Sequence, residues 1–84
     1  MKRVRFIPHA EDALFERTID RNWVMETLLS PERLETDPAY PSRMRAFRRI
    51  PQFGNRWLRV VYDTAPEELQ VVTAFFDRGA GRQG

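Results

Sequence analysis

Eighty-four residues make one domain's worth of chain, and a domain near this size buries roughly 60–65% of its unfolded surface, which leaves its stability marginal. Hydrophobic residues make up 42% and aromatics 12%, a globular rather than a disordered composition. The absence of cysteine excludes disulfides, thiolate zinc sites and cysteine nucleophiles, while a net charge of +2 leaves the partner open until the placement of the charges is considered.

In chain order, Arg3 to Ile7 alternates charged and apolar residues, the period of a short strand. Pro8 ends it and suits the first turn of a helix. Ala10, Ala13, Leu14 and Ile19 then share one helical stripe, with Glu11, Asp12, Glu16 and Arg17 mostly on the other side. Thr18 breaks this helix and Asp20 caps the next. Trp23, Val24, Leu28 and Leu29 form the apolar face of that second helix, and Ser30-Pro31 ends it. The proline- and acid-rich stretch from Pro31 to Pro41 reads as a surface loop.

From Ser42 the period changes to two. Strands are predicted over residues 42–50, 56–62 and 69–76, with turns at 51–55 and 64–68; consecutive strands on short turns form an antiparallel meander. The predicted fold is therefore α+β, in the order β-α-α-β-β-β, with two helices on one face of the sheet. One domain over residues 1–78 and a loose tail over 79–84 complete the expectation. No apolar run approaches the ~18 residues that span a membrane, and the apolar run after the charged start is too short for a signal peptide. A cytoplasmic protein without membrane contact is expected.

Thirteen arginines stand against one lysine, and six of them (Arg43, Arg45, Arg48, Arg49, Arg56, Arg59) fall between Ser42 and Tyr62, a stretch without an acid. If the turn around Gly54 sets Ile50 opposite Arg56, then Phe47 faces Arg59 and Arg45 faces Val61. That register gathers Arg43, Arg45, Arg49, Arg59, Phe47 and Trp57 on one face, and turns Met44, Ala46, Ile50, Leu58, Val60 and Tyr62 toward the helices. Guanidinium groups pair with phosphates and exposed rings stack on bases for roughly 1–3 kcal/mol each, so the face suits RNA. A solvated outer face is the plainer reading of the arginines. For the rings, a dimer contact, an antitoxin-type partner or the acidic loop stand as alternatives.

His9, the only histidine, sits where the first helix begins. Its ordinary pKa near ~6.5 suits proton transfer at neutral pH, although a lone histidine in a first turn is commonly a surface residue. Arg17 lies eight residues further on the same helix, on roughly the same side; complementing the helix dipole is its plainer role. No phosphate-binding glycine loop is present, and one histidine without cysteine disfavours a transition-metal site. Neither a metal nor another cofactor is expected.

The ordered runs Phe6-Ile-Pro-His9-Ala10, Glu16-Arg17-Thr18-Ile19, Leu29-Ser30-Pro31, Leu58-Arg59-Val60-Val61 and Val71-Val72-Thr73-Ala74-Phe75 resemble the bacterial domain-of-unknown-function 4258 family. The likeness runs from Val4 to Arg78. That family is similar to the RelE-type and BrnT-type toxins, small metal-independent ribonucleases of toxin–antitoxin pairs, so a RelE-like fold is implied. The resemblance implies that His9, Arg17, Arg59 and Thr73 are the functional positions, with His9 as acid or base for attack of a 2′-hydroxyl on its phosphodiester. Arg59, with Arg17 or Arg49, would hold the phosphorane, and Thr73 would position the phosphate unless it is simply a β-branched strand residue. Thr18 departs from the family, which usually has glycine there. The expected function is thus a metal-independent ribonuclease toxin-like protein; the alternative is a non-catalytic nucleic-acid- or protein-binding module on the same fold. RNA, an antitoxin protein and a second copy of the chain are the expected partners. Any of these readings that uses the arginine face requires its guanidinium groups to be open to a phosphate chain.

Overall fold

Val4 and Phe6 are half-buried and their arginine neighbours exposed along β1 (Arg3–Phe6) in a computed structural model that describes residues 2–80. Pro8 then opens α1 (Pro8–Arg17) at its first position, where a missing N–H leaves nothing unsatisfied. The helix closes at Thr18, which adopts the left-handed conformation (φ 54°, ψ 47°). The Ile19 N–H reaches back to the Leu14 carbonyl at 2.9 Å, and both side chains lie in the core. This is the six-residue closure normally built on glycine. Asp20 caps α2 (Arg21–Leu29) as expected, accepting from the Asn22 N–H at 2.8 Å.

The sheet carries two strands more than the predicted meander. The stretch read as a loop contains β2 (Arg33–Thr36), which pairs antiparallel with β3 (Arg43–Ile50). Its prolines lie outside those four residues, at Pro31, Pro38 and Pro41, so none interrupts the ladder. Its charges also complement its neighbour, with Glu35 directly opposite Arg45, the cross-strand arrangement that stabilises a pair. A short 3-10 turn (Pro51–Phe53) and the left-handed Gly54 and Asn55 lead from β3 into β4 (Arg56–Thr64). The last strand, β5 (Glu68–Phe76), pairs antiparallel with β4 on one side. On its other side β1 runs parallel to it, as far as Phe6 beside Val71. The result is a five-stranded mixed sheet in the order β1-β5-β4-β3-β2, rather than a purely antiparallel one.

The β3–β4 register follows the expected alignment, with Ile50 opposite Arg56, Phe47 opposite Arg59 and Arg45 opposite Val61. Alternation then decides the faces. Ala46, Ile50, Leu58, Val60, Tyr62, Val71 and Ala74 form the core with Ala10, Leu14, Ile19 and Val24 of the helices. Helix α1 packs on β5 and β1, and α2 on β4 and β3. Burying each valine, leucine or isoleucine there contributes about 1.5–3 kcal/mol before the entropy of ordering is counted. Arg48, also on the helix side, offsets the partial burial of its charge by donating to the Ser30 carbonyl at the end of α2, at 2.8 Å. A cation there complements the helix dipole.

The predicted loose tail begins as a packed turn. Gly79 donates to Asp77 Oδ1 at 2.9 Å, Arg33 donates to the Ala80 carbonyl at 3.0 Å, and Ala80 is buried. Residues 81–84 of that tail lie outside the described residues.

Candidate nucleic-acid interface

The sheet face turned away from the helices begins with the two buried apolar side chains Phe47 and Val61, neither of them part of the helix-side core. Phe47 is only 2% exposed, so it is not the stacking platform expected from the sequence. The Arg33 guanidinium lies over its ring at 4.2 Å, and that of Arg59 approaches at 5.8 Å. The chain's own β2 and β4 arginines thus cover the ring, through cation–π contacts and the burial of their alkyl stems. Of the alternatives for the two rings, the acidic segment is what meets Phe47.

The arginines above this layer are held by carboxylates. Arg43 grips Asp63 with two bonds, at 2.8 and 3.1 Å. Arg49 chelates Glu32, its Nε and Nη2 donating at 3.1 and 2.8 Å. Arg45 donates to Asp37 at 3.3 Å and lies 3.7 Å from Glu35, and Arg33 pairs with the same Glu35 at 3.1 Å. Arg59 reaches Asp77 at 3.2 Å. The Arg49 side-chain hydrogen bond holds the Glu32 carboxyl below its ordinary value. The Ala39 backbone N–H does so first for Asp37, with Tyr40 and Arg45 adding to it. In return Asp63 raises Arg43, and Glu32 raises Arg49, through their hydrogen bonds. The face expected to lie open to phosphates is a lattice of internal ion pairs. The sequence placed the acids of this lattice in a loop and in turns, so their reach to the arginines went unseen.

Of the four positions implied by the family resemblance, three are reached from one face of the sheet and His9 is placed by the first helix. Two of them meet, since Arg17 Nη1 donates to Thr73 Oγ1 at 3.3 Å and to the Ala74 carbonyl at 3.2 Å. Pairing with β1 extends along β5 only to Val71, so Arg17 wraps onto the strand just past the end of its partner. Arg59 lies between Leu58 and Val60, both in the helix-side core, and therefore leaves the sheet on the opposite face, which Thr73 shares as the partner of the outward-facing Val61. His9 sits exposed in the first turn of α1, on the helical side of the sheet and about 12 Å along the axis from Arg17.

A second group of residues converges. Where β4 begins and β5 ends, Arg56, Trp57, Phe76, Asp77 and Arg78 line a cleft of about 430 Å³. Trp57 is half-buried, with the Arg49 guanidinium 5.4 Å from its ring. Phe76 is braced beneath by Phe53 and Trp23, at centroid separations of 4.7 and 6.1 Å. Arg56 and Arg78 are exposed, and neither has an acidic partner among the described residues. The register brings Leu58 opposite Phe76, and continuing it outward sets Arg56 level with Arg78. Like charges across a strand pair destabilise it, so this is an arrangement that packing alone does not favour. The signal was legible: an Arg-Trp pair leaving one turn, and an Asp-Arg pair ending the facing strand. A larger concavity of about 640 Å³, at the other end of β5, is lined by Lys2, Arg3, Pro66 and Glu67 and offers no ring for stacking.

Among the described residues no helix is long and apolar enough to cross a membrane. No group of three or more His, Cys, Asp or Glu side chains is placed there to hold a metal ion. Fold and site define a small α+β protein with a self-paired arginine face and one cleft that combines aromatic rings with unneutralised guanidinium groups. The chain belongs to the DUF4258 family, a domain of unknown function, whose model matches residues 6–76. No curated protein and no solved structure matches it.

Proposed function

We propose that this chain binds single-stranded RNA, with the cleft between Arg56, Trp57 and Arg78 as its point of attachment. The observation that carries the reading is two guanidinium groups without acidic partners that line one cleft together with a half-buried indole. A base stacked on Trp57 would contribute about 1–3 kcal/mol, and Arg56 and Arg78 would take the phosphates on either side of it through charge-assisted bonds. A flexible single strand can bend its backbone around the end of a sheet, whereas a duplex presents no splayed base to stack. An RNA ligand also fits the expected cytoplasmic location.

A second reading, a metal-independent ribonuclease related to the RelE-type toxins and neutralised by an antitoxin protein, is favoured by the contact of Arg17 with Thr73, two of the positions the resemblance implies. It ranks below simple binding because His9, the one proton carrier the resemblance implies, stands in the first turn of α1, about 12 Å along the axis from Arg17. Incubating the purified protein with labelled RNA in EDTA separates the two. Binding without cleavage that weakens by about 5- to 150-fold in Trp57→Ala is the expected outcome. Cleavage by the wild type that is lost in His9→Ala would establish the second reading. Failure to retain RNA at low salt removes both.

A further inference from the structure

Asp77 belongs at once to the cleft and to the arginine lattice. It lines the cleft beside Trp57 and Arg78, and its Oδ2 accepts the bond from Arg59 Nη1 at 3.2 Å. Resting on the proposal that the cleft binds RNA, we infer that Asp77 is an internal anion standing in for a phosphate of that RNA. On binding, an RNA phosphate displaces it from Arg59.

Three observations single out this pair. Arg59 is held by one bond of 3.2 Å and Arg45 by one of 3.3 Å, whereas Arg43 and Arg49 are each held by two or more, the shortest at 2.8 Å. A guanidinium has five donors, and the Nε of Arg59 is buried without a hydrogen-bond partner among the described residues. Of the lattice arginines with a buried, unpartnered Nε, Arg59 alone pairs with a residue that lines the cleft. Two aromatic rings also restrain Arg59. Its guanidinium is 5.1 Å from the Phe75 ring and 5.8 Å from that of Phe47, so it is held in place for whichever anion arrives.

Asp77 has an alternative to Arg59. Its other oxygen, Oδ1, already accepts from the Gly79 N–H at 2.9 Å, and that bond holds the turn after β5 by itself. Losing Arg59 therefore leaves Asp77 tethered and next to solvent rather than buried and unpaired, with 22% of its side chain exposed. A phosphate offers Arg59 a bidentate partner in exchange for a single bond. The device sets a threshold: a lone anion of low charge gains little by the exchange, while a strand already anchored on Trp57, Arg56 and Arg78 presents its next phosphate at high effective concentration.

Asp77→Asn tests this with little risk to the fold, because the amide oxygen can keep the Gly79 bond while the charge facing Arg59 disappears. Fluorescence anisotropy with a short labelled oligoribonucleotide at fixed salt should give about three- to tenfold tighter binding than the wild type. Arg59→Gln in the wild-type background should weaken binding, and Arg59→Gln should abolish the gain in the double variant. Thermal melting confirms that each variant is folded. Equal affinity of Asp77→Asn and wild type, or the same gain with Arg59 absent, overturns the inference and leaves cleft binding standing if Trp57→Ala still weakens it. Binding by Asp77→Asn where wild type shows none supports the inference, and no binding by either overturns it together with the proposed function.

Discussion

Replacing Thr18 by glycine is expected to stabilise the domain. Thr18 holds φ 54° and ψ 47° at the end of α1, a region in which a Cβ costs roughly 1–2 kcal/mol and a β-branched side chain is an outlier. Its side chain is exposed, so little packing is lost with it, and the Ile19 to Leu14 backbone bond at 2.9 Å involves no atom that changes. Glycine gains conformational freedom in the unfolded chain, which offsets about 0.4–1 kcal/mol of the relief. A net gain of about 0.5–1 kcal/mol remains, and for a domain near this size that raises the melting temperature by roughly 2–8 °C. Thermal unfolding followed by circular dichroism, with Thr18→Ala as the control that keeps a Cβ, measures it. A Thr18→Gly protein no more stable than Thr18→Ala would refute the reasoning, because removal of the Cβ would then have relieved nothing.

Three further outcomes are expected. Changing Arg56 and Arg78 together to glutamine should flatten the dependence of log K for RNA on log salt concentration by about 1.4, since each phosphate contact on a single strand contributes about 0.7; titrations at several salt concentrations read this out. Phe47→Ala should destabilise the protein by about 3–5 kcal/mol in urea unfolding, because the ring is 2% exposed and the arginine layer rests on it. The folded state holds Glu32 below its ordinary value of 4.5, chiefly through the Arg49 hydrogen bond. A depressed carboxyl stabilises the fold above its unfolded pKa and loses that contribution as pH falls through the folded one. Stability should therefore drop below about pH 4.5, and Glu32→Gln should show a smaller drop when unfolding is measured across that range.

Much of the fold was legible because it rests on local signals. The change of period at Ser42, the Asp20 cap and the turn at Gly54 each act over a few residues, and together they set the β3–β4 register that turned Ala46, Ile50, Leu58 and Val60 inward. What the sequence concealed depends on distance along the chain. β2 is four residues among prolines, too short for a periodic signal, and its pairing comes from acids meeting the arginines of a strand that follows it. The parallel placement of β1 beside β5 joins the two ends of the domain, and no local pattern announces it. The arginine cluster was visible, and the acids that pair with it were hidden for the same reason. Glu32, Asp63 and Asp77 lie 17 to 20 residues from the partners they neutralise, while Asp37 lies eight from Arg45. The cleft residues Arg56 and Arg78 were in view throughout, without the ladder that sets them level.

The single side chain of Arg17 acts as a plug. Beyond Val71 the last strand has lost its β1 neighbour, and a bare peptide carbonyl at such a border is a template onto which a foreign chain can zip. With its guanidinium seated on Ala74, the border is already occupied by a charge that is costly to desolvate. This suggests that the domain guards itself against fibre-like stacking with one residue at the point where its own architecture runs out of strand.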